Sequence, residues 1–400
     1  MTSSFSKPRL ARLSAVMRSY VERGQVPGLV ALLARGEAVH VEVHGALAYG
    51  SAAPMQRDSL FRIASLTKPI AAAAAMTLVE EGRIGLDEPV ARWLPELAEP
   101  KVLRRLEGPI DDVLPAERSI TLRDLLAFRL GQGAIMAPPG TYPIQAALEA
   151  AGVAAGPVLP KIGPDEYVRR LGQLPLQHQP GAGWTYNTSA EVLAVLMSRI
   201  TGQPLETVLR ERVLDPLGMD DTGFQVGERG KARLTTCYMA DPRTGALEVF
   251  APVESGEFVQ PPVFPSAAGG LVSTADDLMA FSRMMLGGGG HRGERVLSRA
   301  AVELMTADHI TAAQKAAFPF FPGFWDAQGW GFGMSVTTRR EVIGPSVGSY
   351  GWFGGYGTSW RADPREDVTV ILLTQRVMAG PDDGRITDDF WTLAYQALDD

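Results

Sequence analysis

Strand-like runs stand at the two ends of this chain and helix-like runs fill its middle, an arrangement that leaves few folds open. Near the N-terminus Gly28 to Ala34 and Ala38 to Val43 are rich in apolar residues, and Arg35-Gly36-Glu37 between them has the length and chemistry of a hairpin turn. Near the C-terminus Gly329 to Thr338, Gly355 to Ala362 and Val368 to Gln375 alternate or run apolar like strands of an antiparallel sheet. Leu10 to Val26 spaces its apolar residues as a helix does, and Thr387 to Leu398 is a closing helix. From about residue 86 to 264 the period changes. Thr121 to Phe128, Pro164 to Leu174, Ala190 to Gly202 and Leu205 to Val213 read as helices joined by loops rich in Pro and Gly. The expected fold is α/β (α+β): an antiparallel sheet built from residues 1–85 and 265–400 and flanked by terminal helices, with a mostly helical domain, 86–264, inserted. A cleft between the two is where a small-molecule site is expected.

Composition excludes several classes of partner. A net charge of −7 with no run of Lys or Arg argues against nucleic acid and anionic membranes. No apolar stretch reaches the roughly 18 residues of a membrane span, and residues 1–9 lack the apolar stretch of a secretory signal, so a cytoplasmic protein is expected. The one cysteine, Cys237, is expected to be a small buried residue. The five histidines show no helical zinc spacing; His40 and His44 read as a solvated pair on one strand face. Neither a metal nor a cofactor is expected.

Chemistry enters at Phe61-Arg62-Ile63-Ala64-Ser65-Leu66-Thr67-Lys68-Pro69, a strand-to-helix junction. A spacing of three on a helix puts Lys68 beside the Ser65 oxygen. Pro69 is tolerated only in a first helical turn, so Ser65 lies at the helix start with its N–H free to meet a negative oxygen. Of the 38 basic residues only six are Lys and 32 are Arg, and only an amine can titrate at ordinary pH. The motif alone is weak, since Ser4-Phe5-Ser6-Lys7 matches it in a terminus expected to fray. Two further stretches join it. Tyr186 follows a Pro180-Gly181 turn ahead of a helix, where an ammonium neighbour would lower its pKa toward that of a general base. Ser349 to Trp360 is glycine-rich and enters a strand; it reads either as a β-turn or as a place where an edge N–H completes an oxyanion hole.

In order and context these three stretches resemble the serine β-lactamase and penicillin-binding-protein superfamily, most closely class C β-lactamases and the family VIII carboxylesterases. Leu78 to Leu94 and Ala267 to Leu278 join the likeness. The resemblance implies a β-lactamase-like fold, Ser65 as nucleophile, Lys68 as its ammonium neighbour, Tyr186 as base, and the N–H groups of Ser65 and Gly355 as the oxyanion hole. Trp352-Phe353-Gly354 stands where β-lactam-directed members usually have Lys-Thr-Gly, and the loss of that cation points to neutral, short-acyl esters. Either Asn187 or Thr188, together with Phe128, Tyr142 and residues of Phe318 to Trp325, is expected to contact substrate. A small-molecule ester hydrolase is therefore expected, with a β-lactamase, a D-amino peptidase-type hydrolase, an acyltransferase or a non-catalytic binding module as alternatives. Gly344-Pro345-Ser346-Val347-Gly348 also satisfies the G-x-S-x-G elbow, but a proline precedes its serine and no histidine follows His309.

Overall fold

The hairpin at the N-terminal end forms as its turn chemistry requires. In the computed structural model, which describes residues 5–156, 158–254, 256, 258–380 and 383–399, helix α1 (Lys7–Glu22) leads into β1 (Gly28–Arg35) and β2 (Ala38–Gly45). Arg35 pairs with Ala38, leaving Gly36 and Glu37 as a two-residue turn with Gly36 at φ +52°. After β3 (Phe61–Arg62) comes α2 (Thr67–Glu80), then α3 (Thr188–Thr201) in the middle of the chain, β4 (Val272–Ser273) and α4 (Ala275–Leu286). The C-terminal strands are β5 (Gln328–Trp330), β6 (Ser335–Thr337), β7 (Tyr350–Gly354), β8 (Thr358–Asp363) and β9 (Val368–Thr374), followed by α5 (Arg385–Gln396).

Seven strands make one antiparallel sheet in the order β5-β6-β7-β8-β9-β1-β2, so the two ends of the chain meet where β1 pairs with β9. Alternation along these two strands separates two cores. Leu29, Ala31, Leu33, Val368, Val370 and Leu372 face α1 and α5. Val30, Leu32, Ile371 and Leu373 face the larger core shared with α2, α3 and α4. Thr274 caps α4 by accepting the Asp277 N–H, a contact typically worth about 1 kcal/mol. The small-residue run Ala71–Met76 of α2 is wholly buried, which lets neighbouring helices approach closely.

Several expectations need correction. Gly329 to Thr338 is two strands, because the chain reverses at Gly333 (φ +73°), whose missing Cβ makes room for the Lys68 carbonyl. The expected strand from Gly355 begins at Thr358, and Gly355 to Gly357 form the turn before it. The middle of the chain also holds two short ribbons, Lys101–Leu103 with Val113–Pro115 and Cys237–Ala240 with Leu247–Ala251. His40 and His44 do share a face of the edge strand β2, but both rings bond Glu42 (2.7 and 3.0 Å), which also accepts from Ser14 Oγ of α1 at 2.7 Å. They are half-buried against that helix rather than solvated. Ser4 lies outside the described residues, yet the segment is tied from Phe5 onward, which bridges to Leu398. Cys237 is buried, as expected.

Candidate active site

Ser65 sits in a single 3₁₀ turn, Ala64–Leu66, between β3 and α2. Thr67 pins the junction by donating from its hydroxyl to the Ala64 carbonyl (2.7 Å) while accepting the Leu271 N–H (3.1 Å). Ala64 is held at φ +45°, a left-handed conformation that a residue with a Cβ adopts only under constraint. One turn on, Lys68 is 1 % exposed; its Nζ donates to Ser65 Oγ at 2.9 Å and to the Ala268 carbonyl at 2.5 Å.

Tyr186 reaches the same point from the loop ahead of α3. Asn187 (φ +83°, ψ −61°) forms a γ-turn in which the Thr188 N–H returns to the Tyr186 carbonyl at 3.2 Å, a rare and strained geometry. That carbonyl also accepts from Ala134 N–H at 2.8 Å, an approach open because Gly133 has no Cβ. The phenol oxygen is hydrogen-bonded with the Ser65 hydroxyl and accepts from Trp352 Nε1 at 2.6 Å, while Lys68 Nζ stands 4.5 Å from the ring centre. Trp352 comes from β7, whose end closes on the Ser65 segment: a Cβ on Gly354 would fall 2.3 Å from the Ile63 carbonyl. The next residue, Gly355, lines the same cleft as Ser65. Neither the Ser65 nor the Gly355 N–H has a hydrogen-bond acceptor among the described residues.

These groups open onto a cleft of about 600 Å³, walled by Phe320, Phe321, Phe324, Trp352 and Met136. Its described lining holds one carboxylate, Asp388, and no Lys or Arg. Burial governs the protonation of the buried groups. It pushes the Tyr186 phenol up to about 12 against the hydrogen bonds from Ser65 and Trp352, so the lowering expected from the sequence does not occur. It pushes the Lys68 amine well below its ordinary value, partly offset by the nearby Glu191 carboxylate. Glu191 in turn is raised by burial, against hydrogen bonds from Ser266 and the Ala268 N–H and the charge of Lys68.

The structure thus brings Ser65, Lys68, Tyr186, Trp352, Gly355 and Asn187 to one cleft. It does not bring Phe128 there, which is 1 % exposed at φ +60° and packs behind Tyr186 with ring centres 5.9 Å apart. Tyr142 caps the helix Pro143–Ala151 and is not among the residues lining the cleft. Sequence reasoning passed over Glu191 and Ser266. The signal for Glu191 was there, a lone acid within the apolar run Ala190 to Met197.

A family model described as Beta-lactamase matches residues 13–390. Among characterised proteins the chain is similar to Esterase EstB of Burkholderia gladioli, 31 % identical over 93 % of this chain and 92 % of that one. It is 40 % identical to an uncharacterized protein of Mycobacterium tuberculosis over 90 % of this chain and 88 % of that one. Among solved structures it superposes with a TM-score of 0.81 on EstCE1, "a hydrolase with promiscuous acyltransferase activity", at 26 % identity over 97 % of this chain and 98 % of the other.

Proposed function

The chain belongs to the beta-lactamase family, and on that premise we propose that it works as a serine carboxylesterase on small, neutral, short-acyl esters, in the family VIII branch. The observation that carries the reading is the hydrogen-bonded set Ser65, Lys68, Tyr186 and Trp352 at the floor of an aromatic cleft whose described lining has no cation for a substrate carboxylate.

Ser65 Oγ is the nucleophile. As it attacks the ester carbonyl, its proton passes to the Lys68 amine, which burial keeps a poor holder of charge, rather than to a phenolate. The N–H groups of Ser65 and Gly355 receive the developing oxyanion. Tyr186, a phenol at neutral pH, hands a proton to the leaving alkoxide and is refilled from Lys68. Water then attacks the acyl-Ser65 ester with the proton transfers reversed, releasing the acid and restoring the serine. Asn187 and Trp352 contact the substrate, with Trp352 also steadying the phenol oxygen. The division into a sheet unit (1–85, 265–400) and a helical insert (86–264), and a cytoplasmic location, belong to the same proposal; no helix among the described residues is long and apolar enough to cross a membrane.

A second reading, transfer of the acyl group to an alcohol, is favoured by the apolar wall, which can hold the body of an alcohol so that its hydroxyl competes with water for the acyl-enzyme. A fluorophosphonate probe followed by mass spectrometry is expected to place the adduct on Ser65, and a panel of p-nitrophenyl esters to be turned over faster than a chromogenic cephalosporin. An adduct on Ser346, or the cephalosporin as the better substrate, defeats the reading.

A further inference from the structure

The first turn of α3 carries an acid for which the reaction above has no use. Glu191 is 3 % exposed, five residues beyond Tyr186. One carboxylate oxygen accepts from Ser266 Oγ at 2.7 Å, and that Oγ in turn accepts the Ala268 N–H at 3.2 Å and the Gly269 N–H at 3.1 Å. Its Oε2 is buried with no hydrogen-bond partner among the described residues. Ala268 is the residue whose carbonyl holds Lys68 Nζ. A single turn is therefore held by Glu191 through the Ser266 hydroxyl and itself holds Lys68 through the Ala268 carbonyl. Glu191, Ala268 and Ser65 also line one side cavity of about 50 Å³.

We propose that Glu191 is a positioning residue of the acyl-transfer site: it fixes the Ser266 to Gly269 turn against which Lys68 is held, and its charge decides whether the Lys68 amine is free to accept the Ser65 proton. The inference rests on the reading that Ser65 is the acylated serine. The groups facing the pair are few. Lys68 comes from α2 with Ser65 and Tyr186 beside it, and Tyr167, from the helix Pro164–Leu171, faces Glu191 with its hydroxyl bonded to Thr188. Among the described residues Lys68 is the cation acting on Glu191, and Glu191 the acid acting on Lys68. An ionised Glu191 favours the ammonium, which cannot take a proton; a neutral one releases the amine.

The test is kcat/KM for p-nitrophenyl butyrate between about pH 5 and 9. Glu191→Gln keeps an acceptor for Ser266 but removes the charge, so the acid limb of the profile is expected to move to lower pH by about one unit, a tenfold shift in the proton equilibrium. Glu191→Asp keeps the charge and the limb near its original position. A structural role alone lowers the plateau and leaves the limb in place, and that outcome overturns the inference. Should Glu191→Gln not fold, Ser266→Ala serves instead: it removes a hydrogen bond that favours the ionised carboxylate, so the limb moves the same way, and an unmoved limb is equally fatal. Fluorophosphonate labelling of the parent separates the two failures. No adduct on Ser65 sinks the reading of function, whereas a labelled Ser65 with an unmoved limb sinks only the role of Glu191.

Discussion

Ser65 and Ser346 each satisfy a nucleophile motif, and their surroundings differ in ways the motifs do not encode. Ser346 is fully buried; its hydroxyl accepts from Arg340 at 2.5 Å and donates to Glu366 at 3.3 Å, and its N–H goes to Asp363 at 2.8 Å. Its hydroxyl is shared between a guanidinium and a carboxylate, its N–H is taken by a second carboxylate, and no helix starts after the turn. Ser65 lies at the edge of a cleft, bonded to an amine whose charge burial has weakened, with its own N–H unengaged. What separates them is access to a cleft and the kind of cation at hand: Ser346 is buried with its N–H spent on Asp363 and a guanidinium on its oxygen, whereas Ser65 lines the cleft beside a buried amine. A guanidinium stays protonated and can only hold an oxygen, whereas a buried amine can exchange a proton with one.

Substitutions at the two serines and the phenol grade that contrast. Ser65→Ala is expected to abolish ester turnover, a loss of about 10⁴-fold or more in kcat, since groups acting as one unit fail together. Retained turnover would reverse the comparison. Tyr186→Phe removes the proton carrier and leaves the ring packing, and steady-state kinetics should show a fall of about 10²–10⁴-fold, in kcat more than in KM. Ser346→Ala is expected to leave kcat/KM within about twofold while lowering stability to denaturant by about 1–3 kcal/mol, because Arg340 and Glu366 lose the hydroxyl they share while the backbone N–H to Asp363 is kept. A large loss of activity without loss of stability there would make Ser346 more than a structural post.

The terminal helices, the β1–β2 hairpin and the helix start at Ser65 were legible because each follows from local periodicity or turn chemistry. The joining of the chain's ends into one sheet followed from the pattern of strands at both ends. The hydrogen bond from Trp352 to Tyr186 was not legible, for it depends on the register of β7 and on Gly354 closing against Ile63, neither of which is written in nearby residues. The direction of the Tyr186 shift was misjudged for a similar reason: a charged neighbour was read from the sequence, but the depth of burial, which outweighs the hydrogen bonds from Ser65 and Trp352, comes from packing. Phe128 looked like a pocket residue by its place in the chain, and its left-handed backbone turns it behind the site instead.

Four residues with side chains are held at positive φ in or behind the site: Asn187 and Phe320 line the cleft, Ala64 adjoins Ser65, and Phe128 packs behind Tyr186. Glycine would relax each of them, since it alone enters that region freely. Glycine at positions 64 and 187 would keep that backbone without strain but also leave it free to depart from the geometry that aims Ser65 and Tyr186 at one another. Directed evolution of this scaffold meets a conflict between ruggedness and turnover at those two positions, and screens that score both traits together are the ones that retain an active enzyme.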